Sequence, residues 1–320
     1  MRFARTEEQD ELASIVASLL DKRSDSAAVR AAMESESGYD GSLWQALCEQ
    51  VGVAALAVPE EYDGFGASLV ETAVVLEELG RNLAPTPLLA TAIGTAALLV
   101  LGDDDQKATL LPRIASGEVA TLVTGELVLT GDIALQQRGS ALEVCADDLE
   151  RVGSLDQTLS LSRLSGAPSV DGPLMQVAWA LTSALQVGAA QRGLDMTVAY
   201  SKERVQFGRP IGSFQALKHR MADMLVLVEA SRSASWGATA AAAAYVQDPT
   251  GARAEVLARR AAVARSYCSD ALDHVASETV QLHGGIAITW EHDAHLVFKR
   301  AHALSHLWAP AHAARATLLP

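Results

Sequence analysis

Cysteine is scarce in this chain: Cys48, Cys145 and Cys268 are three among 320 residues, odd in number and far apart. That pattern excludes a disulfide framework and a cysteine metal knuckle, and a reducing, cytoplasmic location is expected. Positive charge is also in short supply. A formal net charge of −14 argues against a nucleic-acid partner, because phosphate contacts need basic surface. Long apolar runs are missing too. The longest, Leu88 to Leu101, is too short for a bilayer and contains Gly94. Behind Met1-Arg2-Phe3-Ala4-Arg5 the chain turns acidic without an apolar signal core. A soluble protein with no membrane partner is expected. Aromatic residues make up only 5%, while alanine is abundant, which points to a core of closely approaching helices. No Gly-x-Gly-x-x-Gly follows a strand pattern, so a Rossmann site is not indicated. The spacing supports no Ser/His/Asp constellation.

Hydrophobic residues account for 49% of the sequence, enough for a globular protein with a real core. The periodicity predicts a helical domain over 1–119. Thr6 with Gln9 forms a capping box before Leu12, Ile15, Val16 and Leu19. Further helices are expected at Ser42–Gln50, Leu69–Leu79 with Gly80 as its stop, the apolar run from Leu88, and Gln106–Ile114. The segment 58–66 reads as a turn-rich loop. Over 120–172 the pattern changes to a reduced β domain. Its expected strands are Thr121–Thr124, Ala141–Cys145 and Thr158–Leu161. From 173 to 320 four helices are expected at Leu174–Gln206, Phe214–Val246, Arg253–Leu282 and Glu291 to about Leu307, the last ended by Pro310. Short loops between them suggest an antiparallel bundle. Ala184, Gly188 and Ala189 would let helices approach closely.

Two segments stand out as binding candidates. Tyr200-Ser201-Lys202-Glu203-Arg204-Val205-Gln206-Phe207-Gly208-Arg209-Pro210-Ile211 follows one long helical pattern, and Gln281-Leu282-His283-Gly284-Gly285 follows another. Both reach glycine, where the backbone is bare. An arginine fork beside bare backbone can hold a pyrophosphate. The plainer reading of Arg204 with Lys202 is favourable charge at a helix C-terminus, and Gly284-Gly285 could simply be a helix stop. His302 and His306 have the i, i+4 spacing of a metal pair. With no carboxylate or cysteine at ligand spacing, packing is the better account and no metal is expected. Glu291 and Asp293 read as negative charges at the start of the last helix.

These segments, in this order, resemble the acyl-CoA dehydrogenase family. Leu43–Leu47 with Val58–Gly66 looks like its N-terminal signature, continued by Glu77–Arg81 and Gln106–Pro112. Tyr200–Pro210, Phe214–Met224 and Gln281–Gly285 are closer still. The resemblance implies a mainly α fold: an N-terminal helical domain, a small middle β domain and a C-terminal four-helix bundle. It also implies FAD lying across a subunit interface. Arg204, Gln206, Phe207 and Gly208 would face its pyrophosphate, Ile211 and Phe214 would line the adenosine, and Gln281, Gly284 and Gly285 would meet the adenine side.

Two departures qualify that picture. The family stretch that lines the flavin ring is replaced after Thr121 by Val123-Thr124-Gly125-Glu126-Leu127-Val128-Leu129-Thr130. The family's catalytic glutamate has no counterpart. Ala309 stands at one of its two locations, and Val177–Leu181 occupies the other without an acid. Removing an α-proton needs a positioned base, so no catalytic residue is expected here. The pattern is similar to the shorter, base-lacking subunit of heteromeric α2β2 acyl-CoA dehydrogenases of bacterial steroid catabolism. The resemblance thus implies a homologous partner that carries the glutamate and binds most of the acyl-CoA. Two alternatives stand beside it. One is a self-sufficient homomeric flavoenzyme with a relocated base at Glu126, Glu278 or Glu291. The other is a non-enzymatic binding or regulatory protein.

Overall fold

Helix caps written into the sequence set the first elements. Thr6 and Gln9 close a reciprocal capping box on α1 (Glu7–Arg23), and the Asp25 and Asp40 carboxylates cap α2 (Ser26–Met33) and α3 (Gly41–Gln50). A computed structural model describes residues 5–145, 149–308 and 310–318. Residues 58–66 fold as a loop containing a single 3-10 turn, Glu60–Tyr62. A second capping box, Ser68 with Glu71, starts α4 (Leu69–Asn82). The apolar run forms α5 (Leu88–Leu101), and α6 (Asp104–Ala115) follows.

Gly80 does not stop α4 as expected. The helix continues to Asn82 and ends where Leu83 adopts a left-handed φ of 57°. The glycine serves packing instead. A Cβ on Gly80 would lie 2.3 Å from the Leu185 carbonyl oxygen, and one on Gly188 would lie 1.9 Å from that of Glu77. The expectation of close contact at Gly188 therefore holds: α4 and α7 (Pro173–Glu203) meet backbone to backbone.

Six short strands, twice the expected number, form two small sheets. They are β1 (Ala120–Val123), β2 (Leu127–Leu129), β3 (Ile133–Arg138), β4 (Ala141–Cys145), β5 (Glu150–Val152) and β6 (Leu161–Arg163). One sheet has the order β1-β3-β4, parallel between β1 and β3; the other, β2-β6-β5, is antiparallel throughout. Val123, Val128 and Ala134 form a small core between them. The strand expected at 158–161 is displaced toward the C-terminus. Thr158 instead donates its backbone N–H to Asp156 Oδ1 at 3.0 Å, a turn that competes with strand pairing.

Residues 205–210 form a hairpin of β7 (Val205–Gln206) and β8 (Arg209–Pro210). Beyond it lie α8 (Gln215–Gln247), α9 (Gly251–His283), α10 (Ala294–His306) and α11 (Ala311–Ala316). From Val177 to Ala190 α7 is buried on every side, as the middle helix of a bundle must be. Ser183 bonds Ser235 at 2.8 Å, and Gln191 bonds Arg232 at 2.9 Å, so α8 runs antiparallel to α7. Gln186 bonds Ser269 at 3.0 Å, and Thr197 bonds Thr279 at 3.3 Å, so α9 runs parallel to it. Glu291 lies in a turn before α10. Asp293 stands at the helix's N-cap but makes no cap bond: its carboxylate takes Arg30 at 2.6 Å and Arg192 at 3.7 Å. Pro310 leads into α11 rather than ending α10, which stops at His306.

A candidate nucleotide half-site at one end of the bundle

The parallel course of α7 and α9 brings their C-terminal ends together. The Tyr200 ring stacks on His283 at 4.5 Å between centroids, and His283 meets His292 at 4.6 Å. Both glycine-bearing turns therefore sit at one end of the bundle, joined by aromatic contact across 83 positions of chain. Burial lowers the His283 pKa, opposed by the Thr279 carbonyl at its Nδ1 (2.7 Å). Its Nε2 is buried without a hydrogen-bond partner among the described residues. A neutral ring is the form that stacks here without desolvating a charge.

Arg204 caps the C-terminus of α7. Its N–H bonds the Tyr200 carbonyl at 2.9 Å, and its own carbonyl accepts the Ile211 N–H at 2.8 Å. The side chain is exposed, and among the described residues it forms no ion pair. Gln206 is exposed in β7 and bonds only the neighbouring Val205 carbonyl. Phe207 and Gly208 make the two-residue hairpin turn, with φ of 54° and 76°. Two positive φ angles mark a type I′ turn, in which phenylalanine is an unusual first residue. Phe207 is 92% exposed. Its ring meets Phe214 edge-on at 6.1 Å, and the Arg209 guanidinium lies 4.1 Å from the centroid of the Phe214 ring. Ile211 begins a 3-10 turn, and both it and Phe214 are half-buried.

Gln281 is exposed in the last turn of α9, and Gly284 and Gly285 are exposed in the 3-10 turn that follows. A Cβ built on Gly208, Gly284 or Gly285 meets nothing within 4 Å. The φ of 66° explains glycine at 284; the open space at 285 leaves bare backbone facing outward. An unpaired guanidinium, two exposed amides and bare backbone at one helix-bundle end fit the diphosphate and base of a dinucleotide. Arg209, Tyr200 and His283 were not expected among the site residues. Their signal was positional, since each lies within or beside a turn already singled out.

The opposite end of α7 holds the two windows where a base was sought. Val177, Ala178, Trp179, Ala180 and Leu181 are all buried. Trp308 donates its indole N–H to Thr182 at 2.9 Å, so the windows touch and an indole fills the space. Ala309 lies outside the described residues. Of the alternative acids, Glu278 is tied to Arg220 at 2.5 and 2.8 Å, and that bond holds its carboxyl below the usual range. Glu126 is exposed and accepts the Gly166 N–H at 3.3 Å, and Glu291 is exposed. Between β1 and β2 the chain makes only a short turn, 124–126.

Where N-terminal helices, strands and bundle meet, a crevice is lined by Tyr39, Leu76, Leu129, Thr130, Leu185 and Arg300. Beneath it Arg300 Nε donates to Asp156 Oδ2 at 2.5 Å, with both side chains buried. Among the described residues no group of three His, Cys, Asp or Glu is placed to hold a metal ion, and no helix is long and apolar enough to cross a membrane. His302 and His306 are exposed, with ring centroids 4.4 Å apart.

Residues 6–118 match the acyl-CoA dehydrogenase N-terminal domain, and residues 170–313 match the acyl-CoA dehydrogenase C-terminal domain. The acyl-CoA dehydrogenase IpdE2 of Mycolicibacterium smegmatis is 48% identical, with 95% of this chain and 96% of that protein aligned. The protein of the same name from Mycobacterium tuberculosis is 46% identical over 94% and 93%. Among solved structures, the ChsE4-ChsE5 complex of Mycobacterium tuberculosis superposes with a TM-score of 0.83 at 25% identity, covering 99% of this chain and 98% of that one. A variant of the Tcur3481-Tcur3483 steroid ACAD superposes with 0.81 at 26%, covering 98% and 96%. The chain belongs to the acyl-CoA dehydrogenase family.

Proposed function

We propose that this chain is the glutamate-lacking subunit of a heteromeric, FAD-dependent acyl-CoA dehydrogenase that forms a 2,3-double bond in a CoA thioester. One observation carries the reading. The base windows and the nucleotide turns lie at opposite ends of α7. At 1.5 Å per residue, Thr182 and Arg204 are separated by about 33 Å along the axis. The turns and the windows therefore serve different bound cofactors, and the windows at this chain's own end hold tryptophan, alanine and leucine.

Flavin, when bound, supplies the acceptor for the hydride that leaves the β-carbon. This chain's residues bind and orient. Arg204 neutralises diphosphate charge, the 207–208 turn offers backbone N–H groups, Gly284-Gly285 lets the ligand approach bare backbone closely, and Gln281 offers an amide to the base. The α-proton goes to a glutamate on the partner, because no carboxylate of this chain occupies either window. The short 124–126 turn leaves the ring-lining wall to the partner as well. An α2β2 assembly follows, with acyl-CoA held mainly by the partner. A steroid side-chain thioester is the substrate class favoured by similarity to a structure described as a steroid ACAD, and the two-component names of both structural relatives support a heteromer.

The test is purification of the chain alone and co-expressed with a glutamate-bearing acyl-CoA dehydrogenase subunit from the same genome. The expected result is a colourless, inactive chain alone and a yellow, active complex, with Arg204→Ala lowering the flavin content of that complex. A yellow, active preparation of the isolated chain refutes the proposal.

A further inference from the structure

On the flank of the nucleotide turn lies a second feature, a cleft of about 500 Å³ lined by Leu155, Val280, Ile288, Trp290, Phe298 and Lys299, among others. Four large apolar side chains converge on it while exposed to water: Ile288 at 76%, Trp290 at 58%, Leu155 at 53% and Phe298 at 42%. Scattered apolar residues on a surface need no explanation, but a converging group around a concave site marks a docking surface. We propose that this cleft seats the partner subunit, a chain of the same fold presenting an apolar cluster with an acidic rim. The inference rests on the heteromeric reading above.

Two observations select this occupant. The first is continuity. Val280 and Ala287 both line the cleft and stand on either side of Gln281–Gly285. A subunit that brings the ring-holding half of the cofactor site against that turn must also cover the cleft. Leu155 reaches it from the segment joining β5 to β6, so the covered surface spans strands and bundle together. The second is charge. Lys299 Nζ sits 4.3 Å over the Trp290 ring, and Arg30 lies 5.6 Å from the same ring. Arg30 is already paired with Asp293, while Lys299 has no ion pair among the described residues. In a chain of net charge −14, an uncompensated lysine at an apolar cleft favours an acidic counterpart and disfavours a second copy of the same face. Trp290, exposed and with two cations near its ring, is of the aromatic type that dominates interface energies.

The experiment uses the co-expressed complex, with subunit affinity read by light scattering across a dilution series. Trp290→Glu and Phe298→Glu are each expected to weaken assembly by about 100-fold or more, the loss typical of charging a central interface position. Val256→Glu, about 36 Å away along α9 from Val280, is the control and should assemble as wild type. All three positions are exposed, so the thermal unfolding of the isolated variants should match the parent chain. Wild-type affinity in both cleft variants overturns this inference and leaves the heteromeric reading standing. Equal loss in all three variants overturns it as well. A homodimer of the chain alone that Trp290→Glu disperses makes a second copy the occupant and overturns it. No complex from the wild-type pair overturns both readings.

Discussion

Asp156→Ala is predicted to be among the most destabilising substitutions in the chain. Asp156 is fully buried, and Arg300 is 1% exposed. The carboxylate accepts Arg300 Nε at 2.5 Å on one oxygen, and the Thr158 N–H and hydroxyl on the other. Arg300 also donates to the Thr158 hydroxyl, but its Nη1 finds no partner. Truncating Asp156 leaves a guanidinium desolvated and uncompensated, which costs about 3–5 kcal/mol. A domain of ordinary stability has about 5–15 kcal/mol in total, so the loss is about a fifth of it or more. The unpaired Nη1 also means that the intact pair is imperfectly compensated. Replacing both partners, Asp156→Leu with Arg300→Met, should therefore recover most of the loss. Urea unfolding at constant m-value measures both changes, and protease cleavage within 149–163 reports whether the strands have come off the bundle. A loss under about 1 kcal/mol for Asp156→Ala, or a double variant no better than the single, refutes the reasoning.

Three further outcomes are expected. Gly188→Ala gains about 1 kcal/mol of helix propensity but drives a Cβ into the Glu77 carbonyl oxygen and the Arg81 N, at 1.9 and 2.7 Å. Backbone cannot turn aside as a side chain can, so the net effect is a loss of roughly 1–3 kcal/mol, visible as a lower melting temperature by calorimetry; an unchanged value contradicts the packing argument. Arg265 is fully buried and donates to the Leu304 and Ser305 carbonyls at 2.7 and 2.9 Å. Burial pulls its pKa down to about 10, still charged at neutral pH, so Arg265→Met should cost about 3 kcal/mol and speed amide exchange at the end of α10; unchanged exchange there refutes the anchoring role. His295 is held down to about 4, first by burial and then by Lys299 and Arg30. The unfolded chain binds a proton below about pH 6.5 that the folded chain refuses. Stability should therefore fall as pH drops from about 6.5 to 4, and His295→Gln should flatten that slope in melts across pH. Parallel slopes would show that other groups carry it.

Local signals were legible in the sequence and non-local ones were not. The bounds of α5 and the Thr6 capping box were read correctly because a continuous apolar run and a three-residue cap are local chemistry. Gly80 was misread because its role depends on Leu185, more than a hundred positions away, and a glycine that stops a helix looks the same as one that lets another helix in. The β region was half-read: β2 and β5 are three residues each, and the pairing of these strands and of the six-residue β3 is set by partners elsewhere in the chain. Asp156, Thr158 and Arg300 carry no motif, and only the fold brings them together. For the candidate half-site, glycine marked both turns in the sequence, with arginine beside the first and glutamine beside the second. Their shared end of the bundle follows from the parallel course of α7 and α9, which no local pattern encodes. The role of those residues toward a cofactor stands as a proposal.

The contact at Gly80 and Gly188 has a mechanical consequence. Two helices separated by nothing but peptide groups have no side-chain cushion to slide on, so α4 and α7 cannot shear past one another by small rotamer adjustments. The first helical block and the bundle must then act as a single lever. Any displacement at the Tyr200 and Gly284 turns would be transmitted without slack along the full length of α7 to its tryptophan-filled end.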